Sequence, residues 1–105
     1  KKSFESASIY HKIGHYKSAT IAMKNALKDF PDSPYREELQ FLILDSYYQY
    51  AVQSTNRRKL ERFNDATLAF HTFASRFPDS SYLPDAQRIY KNCVKAVETL
   101  ESEEN

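Results

Sequence analysis

The sequence predicts an all-α fold, a stack of antiparallel helix pairs with about five helices in 105 residues. Three observations predict it. Apolar residues recur with a period near 3.6 along most of the chain. The composition has one Gly against abundant Ala, Leu, Lys and Glu, side chains that lose little freedom in a helix. One turn is used twice, as DFPDSPY at 29–35 and RFPDSSY at 76–82, with five of seven positions identical. A repeated turn between helical stripes is the mark of a helical repeat.

The elements follow in order. A first helix is expected over about 3–13, ended by Gly14, which can adopt the left-handed conformation that closes a helix. A second runs over about 16–30. Tyr16, Ala19, Ile21, Ala22, Met23, Ala26, Leu27 and Phe30 form its apolar stripe. Pro31 ends it, because the residue before a proline is pushed out of the α region. Asp32 or Ser33 can cap the next helix, with Pro34 in its first turn and Glu37 and Glu38 near the positive end of its dipole. That third helix, YREELQFLILDSYYQYAVQ, is apolar nearly all round and so packs on several sides. STNRRKLER reads as a polar break. The fourth helix runs over about 60–77, carrying Phe63, Ala66, Phe70, Phe73 and Phe77. A fifth covers about 82–100, with Ala86, Ile89, Tyr90, Cys93, Val94 and Val97 on one face. The acidic tail 101–105 is expected to fray.

Chemistry is sparse. A net charge of +1 gives no field for nucleic acid. The single Cys, Cys93, excludes an internal disulfide framework and reads as a small buried apolar residue. His11 and His15 stand four apart, but Gly14 breaks the helix between them and no third ligand is near in sequence, so no metal site is expected. His71 stands alone. There is no Gly-rich phosphate loop and no nucleophile elbow. The sequence therefore predicts a non-enzymatic protein without cofactors. No run is long and apolar enough to span a bilayer. The chain opens in the middle of a pattern without a starting Met, and reads as a fragment or a mature piece.

Two groups of residues are candidates for binding a partner. Arg57, Arg58, Lys59 and Arg62 form the densest charge cluster. Basic residues at a helix start oppose its dipole, so they do not serve the helix and can serve an acidic partner or a phosphate-bearing lipid. The bland alternative is a solvated loop and helix start. Tyr48, with Phe41 and Asp45 on the same side of the third helix, is the candidate aromatic contact, unless a neighbouring helix buries it. Tyr35 and Tyr82 follow the two turns and are expected to pack across them.

The helix pairs repeat at an offset of 47. Tyr16, Ala19, Met23, Ala26 and Pro31 match Phe63, Ala66, Phe70, Phe73 and Pro78. Small residues alternating with large ones, closed by a proline, resemble the tetratricopeptide repeat (TPR) family. The reading is a single TPR-like solenoid domain. Repeat 1 covers about 3–31, and an extended repeat 2 covers about 34–78. The second departs from the pattern at Phe73, where a small residue is expected, and in its length, which is assigned to the third helix and the STNRRKLER break.

The turn FPDS-x-Y, together with the segments 10–51 and 57–92, resembles the C-terminal repeats of the BamD family over about residues 7–97. That family consists of TPR lipoproteins of the outer-membrane β-barrel assembly machinery. The resemblance implies an interaction scaffold at the periplasmic face of the outer membrane, held there by an N-terminal lipid of the parent chain. It implies docking to the POTRA region of the barrel protein BamA and to other assembly components, and contact with unfolded barrel substrates. The lipid-bearing cysteine motif is not in this sequence. The other reading is a different periplasmic TPR adaptor, similar to CpoB and acting in cell-envelope or division coordination, since such proteins share P-x-S-x-Y turns.

Overall fold

The computed structural model describes residues 15–32 and 34–104. The expected helix over 3–13, its end at Gly14, and His11 lie outside those residues. The described chain forms four helices, α1 (Tyr16–Asp29), α2 (Arg36–Gln53), α3 (Asn56–Arg76) and α4 (Leu83–Glu104). Short connections reverse the chain each time. Each helix packs on the next, and α2 also touches α4. This is the all-α arrangement that the periodicity predicts, stacked in the TPR-like way that the resemblance implies.

The two FPDS turns are built alike. Phe30 closes α1 at φ −133° and ψ 67°, and its N–H donates to the Ala26 carbonyl at 2.9 Å. Phe77 closes α3 at φ −132° and ψ 62°, and its N–H donates to the Phe73 carbonyl at 2.9 Å. Each phenylalanine precedes a proline, which excludes the α region and fixes this exit. The second turn is also latched to α2. The Ser80 hydroxyl donates to Glu37 and accepts the Tyr82 N–H at 3.0 Å. Tyr82 stacks on Phe41 with ring centroids 4.9 Å apart, and its hydroxyl lies 3.4 Å from Glu38. Tyr82 thus packs across its turn as expected. Glu37 and Glu38 sit in the first turn of α2, where they complement the dipole and also hold the later turn.

Several boundaries differ from the sequence reading. α2 begins at Arg36 with Tyr35 as its N-cap and no side-chain cap bond. Asp32 is therefore not the cap, and Pro34 lies in the turn ahead of the helix, not in its first turn; the ladder starts from the Tyr35 carbonyl, which accepts from Leu39 N–H at 2.8 Å. Ser33 lies outside the described residues. The break after α2 is only Ser54 and Thr55, and α3 starts at Asn56. Most of STNRRKLER is thus helical, and the extra length of the second repeat lies in the helices, not in a loop. Arg, Lys, Leu and Glu are good helix formers, so polarity alone did not mark a loop. The tail from Glu101 to Glu104 is likewise part of α4.

Two apolar clusters lie on either side of α2. Ala19, Met23 and Ala26 meet Leu39 and Ile43 between α1 and α2. Leu44 and Ala51 join Phe63, Ala66, Phe70, Phe73, Ala86, Ile89 and Cys93 among α2, α3 and α4. Ala19 and Ala66 are matched residues, and both are fully buried. Such small residues let the helices approach closely. Ala26 and Phe73 are also matched and both buried; the ring fills space that the third neighbour, α4, encloses. Ile21 and Phe30, assigned to the core stripe, are instead 54% exposed. Among the described residues, α1 packs against α2 alone and Ile21 lies off that contact.

Ser46 occupies the position matched by Cys93, and both are fully buried. The Ser46 Oγ finds no hydrogen-bond partner among the described atoms. A buried hydroxyl without a partner costs about 1–3 kcal/mol in lost hydration. We expect Ser46→Ala to raise unfolding stability by about 1 kcal/mol, visible as a higher urea midpoint at unchanged slope. A lower midpoint contradicts this account of the site.

Candidate functional site

The basic cluster stands at the start of α3. Arg57, Arg58 and Lys59 lie in the first turn or just beyond it, and no acid accompanies them there. Arg57 and Arg58 are exposed and Lys59 is half-buried. Arg58 approaches Glu61 at 4.0 Å, but both side chains are largely in water, so the pair contributes little. Arg62 is different. Its guanidinium lies 4.2 Å from the centre of the Tyr50 ring and donates to Ser54 Oγ at 2.7 Å. Ser54 Oγ in turn donates to the Tyr50 carbonyl at 2.6 Å. Arg62 therefore staples the α2–α3 hairpin, while the other three cations remain available.

The far end of α4 carries the opposite charge. α3 and α4 are antiparallel and nearly equal in length, 21 and 22 residues. The end of α4, with exposed Glu98 and Glu101, therefore lies at the same end of the molecule as Arg57, Arg58 and Lys59. Each set opposes the dipole of its own helix. Each complements the charge and dipole of the other helix.

The aromatic candidates face α4 and α3. Phe41 is half-buried, stacked on Tyr82 and edge-on to Phe73 at 6.0 Å. Tyr48 is half-buried against Phe63 at 6.2 Å, and its hydroxyl accepts from Asn92 Nδ2 at 3.4 Å. Asp45, half-buried, is itself engaged in an interaction. Of the two alternatives for this stripe, open contact or burial by a neighbouring helix, Phe41 and Tyr48 follow the second, covered in part by α3 and by α4 with the turn before it. Through Phe63, Tyr48 lies about one turn from Lys59, whereas Phe41 is about two turns further along α2.

A feature that the sequence reading missed lies on the other side of α2. α1 and α3 both pack on α2, but among the described residues not on each other. Two hollows open between them, of about 280 and 360 Å3, and Gln40 lines both. Gln40 is only 6% exposed, and its Oε1 accepts from Arg76 Nη1 at 3.2 Å. The available signal was Gln40, a polar residue next to Leu39 and Phe41 in the apolar run of α2.

Cys93 is fully buried, and burial pushes its thiol up to about 12. It is a packing residue with little thiolate, as its register implied. His15 is exposed ahead of α1, and exposed His71 lies edge-on to Phe70 and Tyr90 at 5.5 and 5.3 Å. Among the described residues no three His, Cys, Asp or Glu side chains gather to hold a metal. None of the described helices is long and apolar enough to cross a membrane.

Comparison with known proteins adds one match. The family model YfiO, described as an outer membrane lipoprotein, matches residues 2–101. No curated protein matches the chain.

The Cys93 environment predicts behaviour at high pH. The folded chain keeps the proton up to about 12, while the unfolded thiol releases it near its ordinary value of 9.0. Stability from this group is full below 9.0 and is lost as pH rises towards about 12. Partial burial of the Tyr82 phenol, reinforced by Glu38 and Glu37, raises its pKa and adds in the same direction. We expect a thiol reagent to label Cys93 only on unfolding, and Cys93→Ala to flatten the alkaline loss of stability. Fast labelling of the native chain at neutral pH contradicts the assignment.

Proposed function

The chain belongs to the YfiO family of outer membrane lipoproteins, and from that premise we propose that it is a BamD-like scaffold without catalytic activity. Its role is to hold proteins together during assembly of β-barrels into the bacterial outer membrane. The observation that carries this reading is the family match over residues 2–101, nearly the whole sequence, joined to a stack of helices. Stacked helix pairs expose long surfaces and are used for binding.

The partner in this reading is the POTRA region of BamA, with other assembly components and unfolded barrel substrates as further partners. The domain works at the periplasmic face of the outer membrane, tethered by a lipid on a preceding segment of a longer chain. The first turn of α3 is the proposed contact. Arg57, Arg58 and Lys59 are charges that their own helix does not need, set at one end of the stack. Exposed charges of this kind steer encounter and set the salt dependence of binding. Arg62 and Tyr48 support that end from within, through the α2–α3 hairpin and the Phe63 contact, while Phe41 and Asp45, the other candidates, lie further along α2.

The test is a binding assay between the chain and purified BamA POTRA domains. The triple variant Arg57→Glu, Arg58→Glu, Lys59→Glu should weaken binding about tenfold, or 1.4 kcal/mol, at low salt. The difference should shrink as salt rises. Helical circular dichroism should be unchanged, because acids suit a helix N-terminus. Wild-type affinity in the triple variant overturns this contact surface.

A further inference from the structure

The trough between α1 and α3 is a second surface, on the side of α2 away from Phe41 and Tyr48. Its floor is Gln40, Ile43 and Tyr47. Lys24 of α1 faces Leu68 and Thr72 of α3 across it. At the end nearest the turns, Arg36 and Arg76 flank the opening. From Arg36 to Tyr47 is eleven helical steps, about 16 Å. An extended chain rises about 3.3 Å per residue, so about five residues fit along it.

The charges along the trough are unbalanced. Arg36, Arg76 and Lys24 line it with one acid, Asp65. Among the described residues, none of the three cations pairs with a carboxylate. Arg76 is held by the neutral Gln40 amide, and Lys24 by the hydroxyl and ring of Tyr47. Two guanidinium forks at one end match a carboxylate. Next to them the character changes. Leu68 is 65% exposed, beside the buried Ile43 and Ala69. Ile21, the residue matched to Leu68 one repeat earlier, is also exposed, so an apolar residue in water recurs at this position.

We propose that this trough binds an extended peptide segment of about five residues. An acidic side chain of the segment sits between Arg36 and Arg76, and an apolar side chain a few residues away covers Leu68 and Ile43. The polar groups along the trough decide for a peptide over a lipid chain. With its oxygen held by Arg76, the Gln40 amide keeps its N–H donors for a ligand. Further along, the Thr72 hydroxyl donates to the Leu68 carbonyl and can still accept, and the Tyr47 hydroxyl accepts from Lys24 and can still donate. An extended backbone has unpaired N–H and C=O groups that use such partners; an acyl chain has none. The proposal stands apart from the assembly role, since it concerns other residues on another face.

The experiment selects binders to the whole chain from a displayed library of random heptapeptides whose C-termini are blocked by fusion. Enriched peptides should carry Asp or Glu a few positions from Leu, Ile, Val or Phe. Synthesised as amides, they should bind at least tenfold more weakly to the double variant Arg36→Ala, Arg76→Ala, and also to Leu68→Asp. Both arginines and Leu68 are exposed, so these changes leave the fold intact, and circular dichroism verifies it. The variant with glutamates at 57, 58 and 59 should bind the peptides as wild type does, which separates this surface from the α3 start. The proposal is overturned if no selected peptide distinguishes wild type from the double variant. It is also overturned if only phosphatidylglycerol vesicles, and no peptide, lose binding in that variant.

Discussion

The structure depends on one helix being buried on more than one side. α2 gives Leu39 and Ile43 to the cluster with α1, and Leu44 and Ala51 to the cluster with α3 and α4. Tyr47 packs against both clusters. A helix with a single apolar stripe could complete only one of these cores. The all-round apolar character of α2 is therefore what turns two helix pairs into a continuous stack. It also explains the trough. Two helices that pack on neighbouring sides of a third, without meeting, leave a strip of its surface open between them.

The twin turns set the geometry in which α2 can do this. Phe30 and Phe77 leave their helices at nearly the same dihedral angles, because each precedes a proline and each bonds back one turn. Equal exits send the next helices back in equal directions. The second turn is then tied to the start of α2 through Ser80, Tyr82, Glu37 and Glu38. The acids that favour the start of α2 thus also secure the approach of α4, so one local choice supports two levels of structure.

Much of this was legible in the sequence. The 3.6 period found the four described helices, and the offset of 47 paired Ala19 with Ala66 and Met23 with Phe70, all four of which are buried. Cys93 fell in its buried place for the same reason. What was not legible has physical causes. Polarity placed a loop at residues 54–62, but charged straight-chain residues are also good exposed helix formers, and only two residues leave the helix. Ile21 and Phe30 fit the stripe by period yet face water, because a period gives a direction and not what lies there. The Arg62 staple joins residues eight and twelve apart across a hairpin, and the trough joins three helices. Neither leaves a pattern within one helix.

The same stack presents two unlike surfaces. The α3 start is a charged end, balanced in part by the acidic end of α4. The trough is a slim cleft with cations at one mouth and an apolar strip beyond it. Both are positioned by α2, so both require it to be the most stable element. Native-state hydrogen exchange tests that directly, because it reads the opening free energy of each helix. The account predicts that amides of α2 between Leu39 and Ala51 exchange most slowly, with α1 and the outer turns of α4 opening first. Exchange from α2 as fast as from α1 or α4 would contradict it.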